Sequence, residues 1–177
     1  MQSVSFVGSH VFYMLWLPTL FWLGQAQYGR HLTILLALCL YICNYIKDML
    51  CLPRPQSPPV VKLASNLYSI EYGFPSAHSF NAVIMAGFTA HYFTQGIEGT
   101  PLASAMWIGA ATFVFSIAFS RIYCGMHTLT DITGGLFLGV CMLYTWLHYF
   151  AIIEDWITQS NYGTYIGSGV SAPPGPC

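Results

Sequence analysis

The residues best suited to chemistry fall in three short clusters. Lys47 and Arg54 bracket KDMLCLPRP; Ser76 and His78 flank Ala77 in PSAH; Ser120, Arg121, His127 and Asp131 lie in SRIYCGMHTLTD. Arginine offers a planar fork of donors that matches phosphate oxygens, and lysine a compact positive charge. Lys47, Arg54 and Arg121 together could neutralise a phosphate dianion and the charge that spreads over its oxygens during transfer. A carboxylate such as Asp131, four residues after His127, can fix an imidazole tautomer and leave the other ring nitrogen as a nucleophile or base. Ser76 is a natural helix N-cap, and a helix N-terminus is an anion site. His78, in the first turn after it, could protonate a leaving alkoxide. Each feature also has an ordinary reading. A single cation at a helix end snorkels or marks topology, and a His/Asp pair can be a helix cap. His10, His31, His91 and His148 read as interfacial polar anchors.

Charge is scarce here. Only 11 of 177 residues are Asp, Glu, Lys or Arg. Five of them (Lys47, Asp48, Arg54, Arg121 and Asp131) lie in or beside these clusters. Charged residues make up 6% of the chain, against about 25% in a typical soluble domain. With 55% hydrophobic residues and a mean hydropathy of +0.57, the chain reads as an integral membrane protein of one domain. A net charge of −1 suggests no nucleic-acid partner. The six cysteines have no zinc-site or disulfide-framework spacing. Cys39, Cys43 and Cys141 read as small core residues, and no Cys51–Cys124 disulfide is expected.

The fold class these patterns predict is all-α, a membrane helical bundle with about five transmembrane helices. Five apolar windows approach the roughly 20 residues of a span: 6–23, 32–52, 76–93, 102–119 and 129–153. Pro18 interrupts the first, which membrane helices tolerate. The first window lacks the basic leader of a signal peptide. Connections are expected at 24–31, 95–101 and 121–128, with a longer proline-rich one at 53–75. Residues 1–156 form the expected membrane domain, and the Gly-, Ser- and Pro-rich segment 157–177 an expected disordered tail. Alternating spans put the 53–75 and 121–128 connections on one side. All three clusters therefore gather at one membrane face.

These residues resemble the signature of the type-2 phosphatidic acid phosphatase superfamily: Lys-x6-Arg-Pro, Pro-Ser-Gly-His and Ser-Arg-x5-His-x3-Asp. Every position matches except Ala77, where the superfamily usually has Gly. The resemblance implies that His127 attacks phosphorus and carries a phosphohistidine. Asp131 would orient it and His78 would be the general acid. Lys47, Arg54, Ser76 and Arg121 would hold the phosphoryl oxygens, with Ala77 and Ser120 beside them. No metal or other cofactor is implied. The stretches RPQSPP and EYGFPSAH are similar to the sphingosine-1-phosphate (long-chain base phosphate) phosphatases, which also depart from Gly at the Ala77 position. That narrower resemblance implies a lipid phosphate substrate, a bilayer setting and an endoplasmic reticulum location with the site facing the lumen. Relatives carry more spans, so the chain reads as truncated.

Other readings stand beside this one: a phosphatidate or isoprenoid phosphate phosphatase, a lipid phosphotransferase, or an inactive truncated membrane protein. A transporter fits poorly, because the charges cluster at one face and the helix middles are apolar.

Overall fold

The computed structural model describes residues 10–53 and 72–159. Among the described residues five helices follow one another: α1 (His10–Trp22), α2 (Ala26–Leu50), α3 (Ala77–Thr94), α4 (Pro101–Tyr123) and α5 (Leu129–Gln159). No strand occurs among the described residues. Each apolar window holds one helix. By length and apolarity three helices can cross a membrane: α2, α4 and α5 as far as Phe150.

Of the two that fall short by this measure, α1 has only 13 residues, and α3 is the innermost helix. Ten of its 18 residues are buried, against five of the 23 in α4. Its polar Ser79 and Asn81 lower its hydropathy, but both are buried in protein rather than exposed to lipid. The Cys39 thiol on α2 donates to Asn81 Oδ1 at 2.7 Å, and Tyr28 and Thr89 share a hydrogen bond of 2.6 Å. By contrast, α4 turns Leu102, Ile108, Phe115 and Phe119 outward, as a lipid-facing helix does.

Several ends differ from the sequence expectation. The 24–31 connection shrinks to residues 23–25, turned by Gly24 at φ 77°, and α2 starts at Ala26. Polar residues hid this start, yet Tyr28, Gly29 and His31 are buried. His31 is thus no interfacial anchor; its ring lies 6.0 Å from that of Phe88. Cys39 and Cys43 are core residues, but Cys141 is exposed, and no disulfide joins the described cysteines. The connection after α4 begins only at Cys124. The expected boundary at 156 falls inside α5, while segment 160–177 lies outside the described residues. The chain divides into two compact units between Leu143 and Tyr144, and every described residue of the three clusters is in the first.

Glycines let α5 approach the start of α3. A Cβ on Gly135 would sit 2.5 Å from the Ser76 carbonyl oxygen, and one on Gly139 2.8 Å from Val83 Cβ. A Cβ on Gly134 would enter the Phe74 ring. Small residues at such crossings let helices pack backbone to backbone. The long connection is closed at its base, where the Gly73 amide donates to the Leu52 carbonyl at 2.8 Å.

Gly135→Ala should therefore cost about 1–3 kcal/mol, because the obstructing atom is backbone. Gly109→Ala, where a Cβ meets nothing within 4 Å, should be neutral or stabilising. Thermal unfolding of both variants in the same detergent checks the pair; equal midpoints would contradict it.

Candidate active site

Arg121, His127 and Asp131 owe their relative positions to two consecutive helix caps. Helix α4 ends in a Schellman turn: Gly125, at φ 65°, donates to the Ile122 carbonyl at 2.9 Å, and Met126 to the Arg121 carbonyl at 3.2 Å. The chain then enters α5 through a capping box. The Asp131 amide donates to Thr128 Oγ1 at 3.2 Å, and the Thr128 amide to Asp131 Oδ2 at 2.8 Å. The five residues between Arg121 and His127 and the three between His127 and Asp131 are what this turn and cap require.

His127 consequently lies before the helix rather than on its face. Its Nδ1 is 3.6 Å from Asp131 Oδ2. That is ion-pair range, longer than a hydrogen bond. The same carboxylate oxygen is held by the Thr128 amide, so Asp131 both caps α5 and faces the imidazole. Such contacts commonly tighten when substrate binds.

Ser76 caps α3. Its Oγ accepts from the Ser79 amide at 3.5 Å and from Ser79 Oγ at 3.1 Å. Two accepted bonds leave its own proton to be donated elsewhere. Ala77 and His78, both half-buried, form the first turn, where N–H groups and the positive dipole end point outward. The Ser76 amide donates to the Asp131 carbonyl at 3.0 Å. That bond joins the second cluster to the third and places two helix N-termini side by side.

Lys47 and Arg121 occupy the last turns of α2 and α4. One turn before Lys47, the Cys43 thiol donates to the Pro75 carbonyl at 3.8 Å, which brings α2 beside the PSAH segment. Ser120 is fully buried, and its hydroxyl donates to the Ile117 carbonyl at 2.7 Å within its own helix. Arg54 lies outside the described residues.

Burial separates these charges from the rest. Lys47, Arg121 and Asp131 are 8%, 6% and 6% exposed, and His127 5%. Arg30, Asp48 and Glu98 are all exposed. Keeping a charge out of water costs several kcal/mol unless partners offset it. Two cations and one carboxylate are thus buried at these helix ends, with each cation on the last turn of its helix and the carboxylate on the first turn of α5. The arrangement has an excess of positive charge that an anion would complete. Among the described residues no three His, Cys, Asp or Glu side chains converge as a metal site.

The sequence reading missed Thr128, Gly125 and Gly135. Thr-x-x-Asp is a capping-box pattern and was legible; the close approach at Gly135 depends on a residue distant in sequence and was not.

Relatives share both the sequence and the shape. Over 167 residues the chain is 39% identical to lipid phosphate phosphatase delta of Arabidopsis thaliana, covering 90% of this chain and 40% of that one. It is 36% identical over 159 residues to a dihydrosphingosine 1-phosphate phosphatase of Schizosaccharomyces pombe (88% and 39%). It is 37% identical over 142 residues to human sphingosine-1-phosphate phosphatase 2 (80% and 35%). The chain thus spans about two fifths of the length of these curated relatives. The crystal structure of a transmembrane PAP2-type phosphatidylglycerolphosphate phosphatase from Bacillus subtilis superposes with a TM-score of 0.71 at 19% identity, covering 86% of this chain and 75% of that one. The family profile described as PAP2 superfamily matches residues 28–154, a range that contains all three clusters. With its apolar spanning helices and this match, the chain is an integral membrane protein that belongs to the PAP2 superfamily.

Proposed function

We propose that this chain carries the catalytic centre of a lipid phosphomonoesterase that removes phosphate from sphingosine 1-phosphate and related long-chain base phosphates. The observation that supports this most is the buried excess of positive charge beside the His127–Asp131 pair. The names of the relatives favour the sphingoid substrate over phosphatidate.

Nδ1 of His127 faces Asp131, so Nε2 is the nucleophile. It attacks phosphorus in line, forming a P–N bond as the ester P–O bond breaks. His78 gives its proton to the departing alkoxide. Lys47, Arg54, Arg121, the Ser76 hydroxyl and the turn at Ala77 hold the three remaining oxygens. Ser120 supports Arg121 from the same helix turn. Water then attacks phosphorus, returning its proton to His78 and releasing His127. No step passes through a metal. Positioned charges supply the largest share of the barrier reduction.

The purified protein should release phosphate from sphingosine 1-phosphate in the presence of chelator, and faster than from phosphatidate. His127→Ala should lose at least about a thousandfold in kcat. His78→Ala should lose about 10²–10⁴-fold on the lipid, and far less on an aryl phosphate whose leaving group needs no proton. Equal losses on both substrates would remove His78 from the acid role.

Thr128 acts as a positioning residue. Thr128→Ala should lower kcat about tenfold, leave KM near its original value and cost about 1 kcal/mol of stability. Thr128→Ser should restore both. A loss of stability with kcat unchanged would leave Thr128 a cap only.

We place the site on the lumenal side of the endoplasmic reticulum membrane, on the resemblance of the motifs. An N-glycosylation acceptor sequence inserted in segment 54–71 should then be glycosylated in cells; an unmodified insertion with an intact, active enzyme would reverse the orientation.

A further inference from the structure

Between α3 and α4 lies an apolar cavity of about 310 Å³, largely open to the outside. Met85, Ala86 and Thr89 line it from α3, and Met106, Gly109 and Phe113 from α4. Its polar atom, Thr89 Oγ1, is already engaged by Tyr28 OH and by the Met85 carbonyl, so the cavity presents no group that seeks a polar ligand. A Cβ built on Gly109 meets nothing within 4 Å; that space is the cavity itself.

The cavity shares a helix face with the site on both walls. On α3, residues 78, 82, 85 and 89 recur at the three- and four-residue spacing of one stripe; on α4, residues 106, 109, 113, 117 and 120 do the same. At about 1.5 Å of rise per residue, Met85 and Thr89 lie about 13 and 20 Å beyond Ser76. Phe113 and Met106 lie about 12 and 22 Å from Arg121. Half of a hydrocarbon core is about 15 Å deep. The cavity therefore lies where the alkyl chain of a lipid would run if its phosphate met Lys47, Arg121 and the α3 N-terminus.

We infer that this cavity holds the alkyl tail of the phosphate ester and that Gly109 keeps it open. The inference rests on the function proposed above and adds a second subsite to it. Packing contacts between the tail and the cavity wall, which lipid would not reproduce in the same fixed geometry, would set a chain-length preference. Gly109→Leu starts from a Cβ that meets nothing within 4 Å and has better helix propensity than glycine; an unchanged thermal midpoint beside the original protein checks that folding is preserved.

Binding of non-hydrolysable octyl and octadecyl phosphonates tests this in nanodiscs without depending on turnover. With each ligand's concentration expressed as its mole fraction in the bilayer, so that partitioning into lipid cancels, the original protein should bind the octadecyl compound at least about tenfold more tightly. Gly109→Leu should reduce that gap to about twofold or less, with octyl affinity unchanged. Ala111→Leu, on an exposed part of the same helix, should leave the gap intact. A gap that persists in Gly109→Leu would overturn the tail subsite, and so would equal loss of both ligands. A change of oligomeric size in Gly109→Leu with the gap intact would assign the cavity to another helix. Phosphate release from sphingosine 1-phosphate, measured in parallel, reports on the phosphatase reading separately: tail-dependent phosphonate binding without turnover would sink that reading and not this one.

Discussion

The hydrogen bond from the Ser76 amide to the Asp131 carbonyl fixes where two helices begin relative to each other. Neither helix start is placed by its own sequence alone. Ser76 caps α3 and Asp131 closes the capping box of α5, so one bond locks two caps together. The bond forms only because Gly135 lets the backbones meet. His78 lies in the first turn on one side of this junction, and the His127–Asp131 pair at the cap on the other. The last turns of α2 and α4 bring Lys47 and Arg121 to the same end.

Charge burial in an apolar setting gives that junction its chemical character. A membrane protein with so few charges could have left all of them at the interface. Instead Lys47, Arg121 and Asp131 are withdrawn from solvent, while Arg30, Asp48 and Glu98 are not. In a low-dielectric setting each fixed charge and helix dipole acts more strongly than in water. The same burial holds the side chains in place before a ligand arrives, which is what electrostatic stabilisation of a transition state requires.

Much of this was legible in the sequence. The five helices fall in the five apolar windows, and alternation alone places the three clusters at one face. Ser76 is the cap its residue type suggests. What escaped was set by tertiary context. Tyr28, Gly29 and His31 read as a polar connection because hydropathy cannot tell a residue facing water from one buried by a neighbouring helix, α3 for Tyr28 and His31 and α1 for Gly29. His127 and Asp131 read as neighbours on a helix face, whereas they meet across a cap. The span-like window of α3 hid an inner helix, whose polar Asn81 is matched by a thiol 42 positions earlier. No local pattern announces such a partner.

The bond between Gly73 and Leu52 has a wider consequence. It brings residues 52 and 73 together, so that the chain between them is an excursion closed at its base. Doubling the length of such an excursion adds only about 0.6 kcal/mol of closure entropy. Insertions and exchanges beyond Arg54 can therefore accumulate without shifting Lys47 or Ser76. The connection is free to diversify in evolution while the helix ends that flank it stay where they are.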